Sequence, residues 1–163
     1  MIIGIDIGGT STKLGLVDQG KVVARKSLPT TGHASADAFA DALADAVGQL
    51  TTDNEPPTGI GIGAPNANQL TGIIEMAPNL PWKHDVQLAR MLELRTGIPA
   101  VLGNDANAAA LGEWRYGAGK GCKDLLMVTL GTGVGSGFIV NDQLVLGSHG
   151  NAGELGHTTI VID

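Results

Sequence analysis

The sequence predicts an α/β fold, a mixed sheet with helices on both faces. Three observations predict it. The chain opens with an apolar, β-branched strand, Ile2-Ile3-Gly4-Ile5-Asp6-Ile7, that runs into Gly8-Gly9 and returns as a second strand. An early run of strands then gives way to strands that alternate with helical patterns. Finally, 43% apolar against 16% charged residues describe a globular chain, and 163 residues allow one ordinary domain or two small lobes.

The elements follow in order. Gln19-Gly20 turns the chain into a third strand, residues 21–28. Ser35 is an N-cap for a helix through Leu50. In that helix Ala36, Phe39, Ala40, Leu43, Val47 and Leu50 recur at helical spacing, and Asp37, Asp41 and Asp45 mark the solvated face. A polar loop with Pro56-Pro57 precedes a short buried strand at 59–63. Residues 64–82 read as a long Pro- and Asn-rich loop. Asp85 caps a helix through Arg95, with Gly97 and Pro99 as stop signals. Residues 100–102 form another strand, and Asn104-Asp105 caps an alanine-rich helix to about Tyr116. Residues 117–121 read as a hinge. Strands at 125–130 and 137–140 are joined by the glycine-rich segment between them, Asn141-Asp142 is the next turn, and a last strand covers 158–162. The chain thus reads as an N-terminal lobe (1–116), a hinge (117–121) and the start of an incomplete second lobe (122–163).

Composition excludes several classes. A net charge of −6 without a basic stripe argues against nucleic acid as a partner. Cys122 stands alone, which rules out an internal disulfide and suits a reducing cytoplasm. The N-terminus does not read as a signal peptide, and no apolar run reaches spanning length, so no membrane partner is expected. Aromatics make up only 3%, so the core must be aliphatic, and the 25 glycines fall at turns and motif positions, as in a loop-built ligand site.

Candidate chemistry gathers at strand ends. Asp6 can hold a hydrated Mg²⁺. Gly8-Gly9 allows close approach of a ligand, and Thr10, Thr12 and Lys13 offer hydroxyls and an ammonium to phosphate. Asp6, the loop after Gly63, and Asn104-Asp105 all follow predicted strands, so three polar clusters meet along one rim. Asp105 is either a plain N-cap or, with Asn104 beside it, a general base that takes a proton from a substrate hydroxyl. Gly131-Thr132-Gly133-Val134-Gly135-Ser136-Gly137 fits neither the Walker A nor the Rossmann spacing. It is an ordinary hairpin or a turn that aims amides at phosphate. Glu154 and His157 are ordinary loop residues or polyol or metal contacts, too few for a protein-only metal site.

Together these segments resemble known proteins. Asp6-Ile-Gly-Gly-Thr10 and Gly131-Thr-Gly133 resemble the two phosphate segments of the sugar kinase, hexokinase, actin and Hsp70 superfamily. Ala77-Pro-Asn79-Leu-Pro-Trp82, Asn104-Asp105-Ala-Asn107-Ala and Gly147-Ser-His-Gly-Asn-Ala-Gly153-Glu154-Leu-Gly156-His157 resemble the ROK family (repressors, open reading frames, kinases). The resemblance runs the whole length of the chain, and within the family it is nearest to bacterial glucokinase-like hexose kinases. It implies a ribonuclease H-like lobe of the actin/hexokinase/Hsp70 type, plus the opening strands of a second such lobe.

The implied activity is ATP-dependent phosphorylation of a hexose, glucose favoured, in a cytoplasmic protein that is a homo-oligomer at full length. Asp6 would help position Mg²⁺. Gly8, Gly9, Thr10, Thr12 and Lys13, with Gly131, Thr132, Gly133, Val134 and Gly135, would face the ATP phosphates. Asp105 would be the base, and Asn79, Asn104, Asp105, Glu154 and His157 would contact sugar hydroxyls. His157 also matches a ligand of a structural Zn²⁺ whose other ligands are absent here. The chain departs from the family at Pro65-Asn66, where Pro-Gly is common and a glycine would allow close approach to the sugar. It also ends at Asp163, so the 163 residues alone are expected to be inactive. Two other readings are a non-enzymatic sugar-sensing ROK domain and an actin- or Hsp70-like ATPase lobe. The acidic charge and a first strand starting at Met1 speak against the former, and the Glu154-x-x-His157 motif against the latter.

Overall fold

Alternating apolar residues build three strands at the start of the chain, Ile2–Ile7 (β1), Ser11–Asp18 (β2) and Lys21–Pro29 (β3). They form an antiparallel meander. The computed structural model describes residues 1–51, 55–78, 80–131 and 133–159. Packing divides the chain into two units, Met1–Asp105 and Ala106–Asp163.

In the first unit, Ala36–Thr51 (α1), Ile60–Ala64 (β4), Leu88–Thr96 (α2) and Ala100–Asn104 (β7) follow the meander. The sheet order is β3-β2-β1-β4-β7, with β4 parallel to β1 and β7 parallel to β4. Ile3, Ile5, Ile7, Leu14, Leu16, Ile60, Ile62 and Leu102 are buried together with Phe39, Leu43 and Val47 of α1 and Leu88 and Leu92 of α2. Each such side chain contributes about 1.5–3 kcal/mol by leaving water. The ends of α1 and α2 follow local chemistry. The Ser35 hydroxyl accepts the Ala38 N–H at 3.1 Å. Gly97, at φ 69°, closes α2 by donating to the Glu93 carbonyl.

α1 and α2 pack against each other and on one face of the sheet. On the opposite face Ile2 and Val101 are 52% and 69% exposed. Gly4, Gly15 and Gly61 pair across neighbouring strands there and leave little apolar area to cover.

Residues 64–82 also depart from a plain loop. Ala67–Asn68 (β5) and Ile73–Ile74 (β6) form a small hairpin. Ile74 and Val86 exchange backbone hydrogen bonds of 2.9 and 3.0 Å. Ala67, Ile74, Ala77, Leu80 and Trp82 are buried, and the Trp82 ring lies 4.8 Å from that of Phe39. Asp85 does not cap α2. Val86 is held by Ile74, so the helix starts at Leu88, with Gln87 at the cap position and no side-chain cap.

In the second unit, Asp105–Tyr116 (α3) leads from the boundary to Leu125–Leu130 (β8), Val134–Val140 (β9) and Gln143–Leu144 (β10), an antiparallel sheet in the order β10-β9-β8. A short 3-10 turn covers Leu155–His157. Ala106, Asn107 and Ala110 of α3 are buried. A Cβ at Gly137 of β9 would lie 2.5 Å from the Ala110 Cβ, so the glycine is what lets the helix seat on the strand. Residues 160–162 of the last expected strand lie outside the described residues, and Thr158 and Thr159 are in no strand. Among the described residues, no helix is long and apolar enough to cross a membrane.

Candidate functional site

The parallel strands of the first unit set the site. Asp6 near the end of β1 is in register with Gly63 of β4, and Gly63 with Gly103 of β7; Ala64 is in register with Asn104. Two strand spacings of about 4.8 Å place Asp6 and Gly103 about 10 Å apart. Asn104 ends β7 and Asp105 is the first residue of α3. The three polar clusters expected along one rim are therefore brought together: Asp6, the loop after Gly63, and Asn104-Asp105. Asp6 and Asp105 are both exposed. Lys13 pairs with Asp6 across β1 and β2 and is also exposed, so opposite charges flank the turn between the strands.

That turn is built from backbone and buried hydroxyls. The Gly8 amide donates to the Ser11 carbonyl at 3.1 Å, and the Thr30 amide to the Thr10 carbonyl at 3.0 Å. The Thr30 hydroxyl donates to the Gly8 carbonyl at 2.7 Å. Gly9 and Thr10 stand exposed at the tip, and among the described residues no backbone group takes their amides. Such a tip can present N–H groups to phosphate oxygens. Thr12 corrects an expectation. It was read as a phosphate contact, but its side chain is fully buried and its hydroxyl lies 2.8 Å from that of Thr30. It shares a face with Leu14 and Leu16, and this period-two signal was present in the sequence. Thr30 carried no such signal; only the folded turn reveals it.

The loop after β4 explains Pro65-Asn66. Asn66 has φ 53°, a left-handed backbone that glycine adopts freely and asparagine tolerates. A glycine at this position would adopt the same backbone without strain. Asn66 also pairs with Glu75 through the Glu75 amide at 2.9 Å. Asn79 lies outside the described residues.

In the second unit, the glycine-rich segment is not a seven-residue turn. β9 begins at Val134, so only residues 131–133 connect the strands, and Thr132 lies outside the described residues. Val134 and Gly135 pair with Leu130 and Thr129 of β8. The Ser136 hydroxyl donates to the Gly153 carbonyl at 2.6 Å. A Cβ at Gly156 would lie 2.1 Å from the Val134 carbonyl oxygen, which accounts for the glycine in Glu154-Leu-Gly-His157. Glu154 and His157 face each other at 3.7 Å, an ion pair only when the imidazole is protonated, and the His157 side chain is 85% exposed. No group of three His, Cys, Asp or Glu able to hold a metal exists among the described residues. Those residues do not fit a zinc site.

The model of the ROK family matches residues 2–163. A glucokinase of Halalkalibacterium halodurans is 39% identical over 165 residues, which cover 98% of this chain and 50% of that protein. The crystal structure of a ROK family glucokinase from Streptomyces griseus, in complex with glucose and AMPPNP, superposes with a TM-score of 0.85 at 39% identity, covering 98% of this chain and 51% of that one. A xylose repressor of Caldicellulosiruptor bescii is 41% identical over 103 residues, 63% of this chain and 26% of the repressor. The chain spans about half the length of the glucokinases that it matches.

Proposed function

Because the chain belongs to the ROK family, whose sugar kinases share the actin/hexokinase/Hsp70-like ATPase fold, we propose that the protein carrying it transfers the γ-phosphoryl group of ATP to a hexose, glucose being the favoured acceptor. The observation that supports this is the register from Asp6 through Gly63 to Gly103, which sets the phosphate turn and Asp105 on one rim. Asp105 accepts the proton of a sugar hydroxyl as its oxygen attacks the γ-phosphorus, and ADP departs with the electron pair of the broken P–O bond. Gly8, Gly9, Thr10 and Lys13 hold the phosphates. Asp6 would carry a hydrated Mg²⁺, whose charge offsets that of the nucleotide. Asn79 and Asn104 orient the sugar. The assignments of residues 131–135 to phosphate and of Glu154 and His157 to sugar rest on their motifs. A reducing cytoplasm, with its ATP, suits the lone thiol of Cys122.

The test is ADP release by the whole protein with Mg-ATP and a panel of hexoses. Sugar-dependent release supports the reading. Sugar binding without turnover refutes it and favours the sensor reading, which the repressor relative keeps in view.

A further inference from the structure

We propose that Thr30 is a positioning residue that locks the orientation of the Gly8–Gly9 peptide and so aims the turn's amides at phosphate. This rests on the phosphate role of the turn given above. Thr30 is fully buried directly after β3, 22 residues from Gly8. Its hydroxyl has one hydrogen, and that is given to the Gly8 carbonyl at 2.7 Å. The 2.8 Å contact with Thr12 must then run from the Thr12 hydroxyl to Thr30. The result is a one-way chain, Thr12 to Thr30 to the Gly8 carbonyl, which links β2 to the residues directly following β3 and β1.

A trans peptide carries its C=O and the following N–H on opposite sides of one plane. Holding the Gly8 oxygen against Thr30 therefore turns the Gly9 N–H away from Thr30, toward the exposed tip. A peptide between two glycines meets no Cβ barrier to flipping. Flipped, it would offer a carbonyl oxygen where a phosphate oxygen must sit, and the two repel. The second tether, from the Thr30 amide to the Thr10 carbonyl, fixes the Thr10–Ser11 peptide in the same way. Thr30 touches no ligand in this scheme; it acts through the backbone of Gly8 and Thr10.

Three variants of the whole protein test the idea. Thr30→Val keeps the shape and removes the donor. It is expected to raise KM for ATP and Kd for AMPPNP about tenfold, the effect of one lost hydrogen bond, with KM for the sugar changed less than about twofold. Thr30→Ser keeps the hydroxyl and should restore both values to within about threefold of wild type. The double variant Thr12→Val/Thr30→Val removes both hydroxyls, so no buried Thr12 donor is left unpaired, and thermal stability should recover while KM for ATP stays raised. Recovery of ATP affinity along with stability would reduce Thr30 to a structural residue and overturn the proposal. So would a Thr30→Val protein that binds AMPPNP as wild type does. A wild-type protein that binds AMPPNP but phosphorylates no sugar sinks the kinase reading alone, and the Thr30 comparison is then decided on AMPPNP binding.

Discussion

Replacing Asp105 by asparagine separates chemistry from folding. Asp105 is the first residue of α3 and is exposed, while the preceding Asn104 is in register with Ala64 in the sheet. Asparagine has the same shape and still suits a helix start. The negative charge lost from the first turn costs about 0.3–1 kcal/mol. For a domain of this size that is a fall in Tm of about 1–4 °C. The loss of a general base is larger, about 10²- to 10⁴-fold in kcat. At about 1.36 kcal/mol per tenfold, this adds about 2.7–5.4 kcal/mol to the barrier, several times the stability term. The assay is coupled ADP release by the whole protein at saturating ATP and sugar, with Kd for each ligand measured on the same preparation. The expected pattern is a collapsed kcat with both Kd values within about threefold of wild type. A kcat within about tenfold of wild type, or a loss of rate that follows a loss of folded protein, would remove Asp105 from the role of base.

Two further substitutions probe the scaffold. Asn66→Ala should destabilise by about 1–2 kcal/mol, because alanine resists the left-handed backbone at φ 53°, whereas Asn66→Gly should stay within about 0.5 kcal/mol of wild type; equal urea midpoints for the two would refute the backbone argument. Gly137→Val places a Cβ 2.5 Å from the Ala110 Cβ and should cost about 1–3 kcal/mol by prising α3 from β9, seen as faster amide exchange in α3, and Ala110→Gly in the same chain should recover part of it.

What the sequence made legible was local. β1 to β3, the Ser35 cap of α1 and the Gly97 stop of α2 each depend on spacing and on residues within one turn of each other, and all are present. The rim was legible too, because ligands gather beyond the carboxyl ends of parallel strands. What was missed depends on partners far along the chain. The β5–β6 hairpin and the start of α2 are fixed by Ile74 pairing with Val86, and nothing around Asp85 signals that pairing. Thr12 has a hydroxyl that suggests a phosphate contact, but its period-two place on the face of Leu14 and Leu16 buries it. In the glycine-rich segment, Gly135 reads as a turn residue and Gly137 as the first residue of a strand, because glycine marks both turns and close packing. Their Cβ positions, against Thr129 and Ala106 and against Ala110, show the second use.

The sheet order has a kinetic consequence. β1, β2 and β3 meet through short connections, so their meander can form early and locally. The rim cannot. Ile3 must find Ile60, and Ile60 must find Ala100, before Asp6, Gly63 and Gly103 stand in line. Parallel pairings at such separations lose chain entropy before their contacts repay it, and they form late and slowly. The rim is therefore expected to assemble with the last parallel strand, which pulse-labelled hydrogen exchange during refolding would show as late protection of β4 and β7. A ligand held at the rim selects chains in which β7 has docked, and it stabilises the unit by mass action. It has no such hold on an early intermediate that contains only the meander.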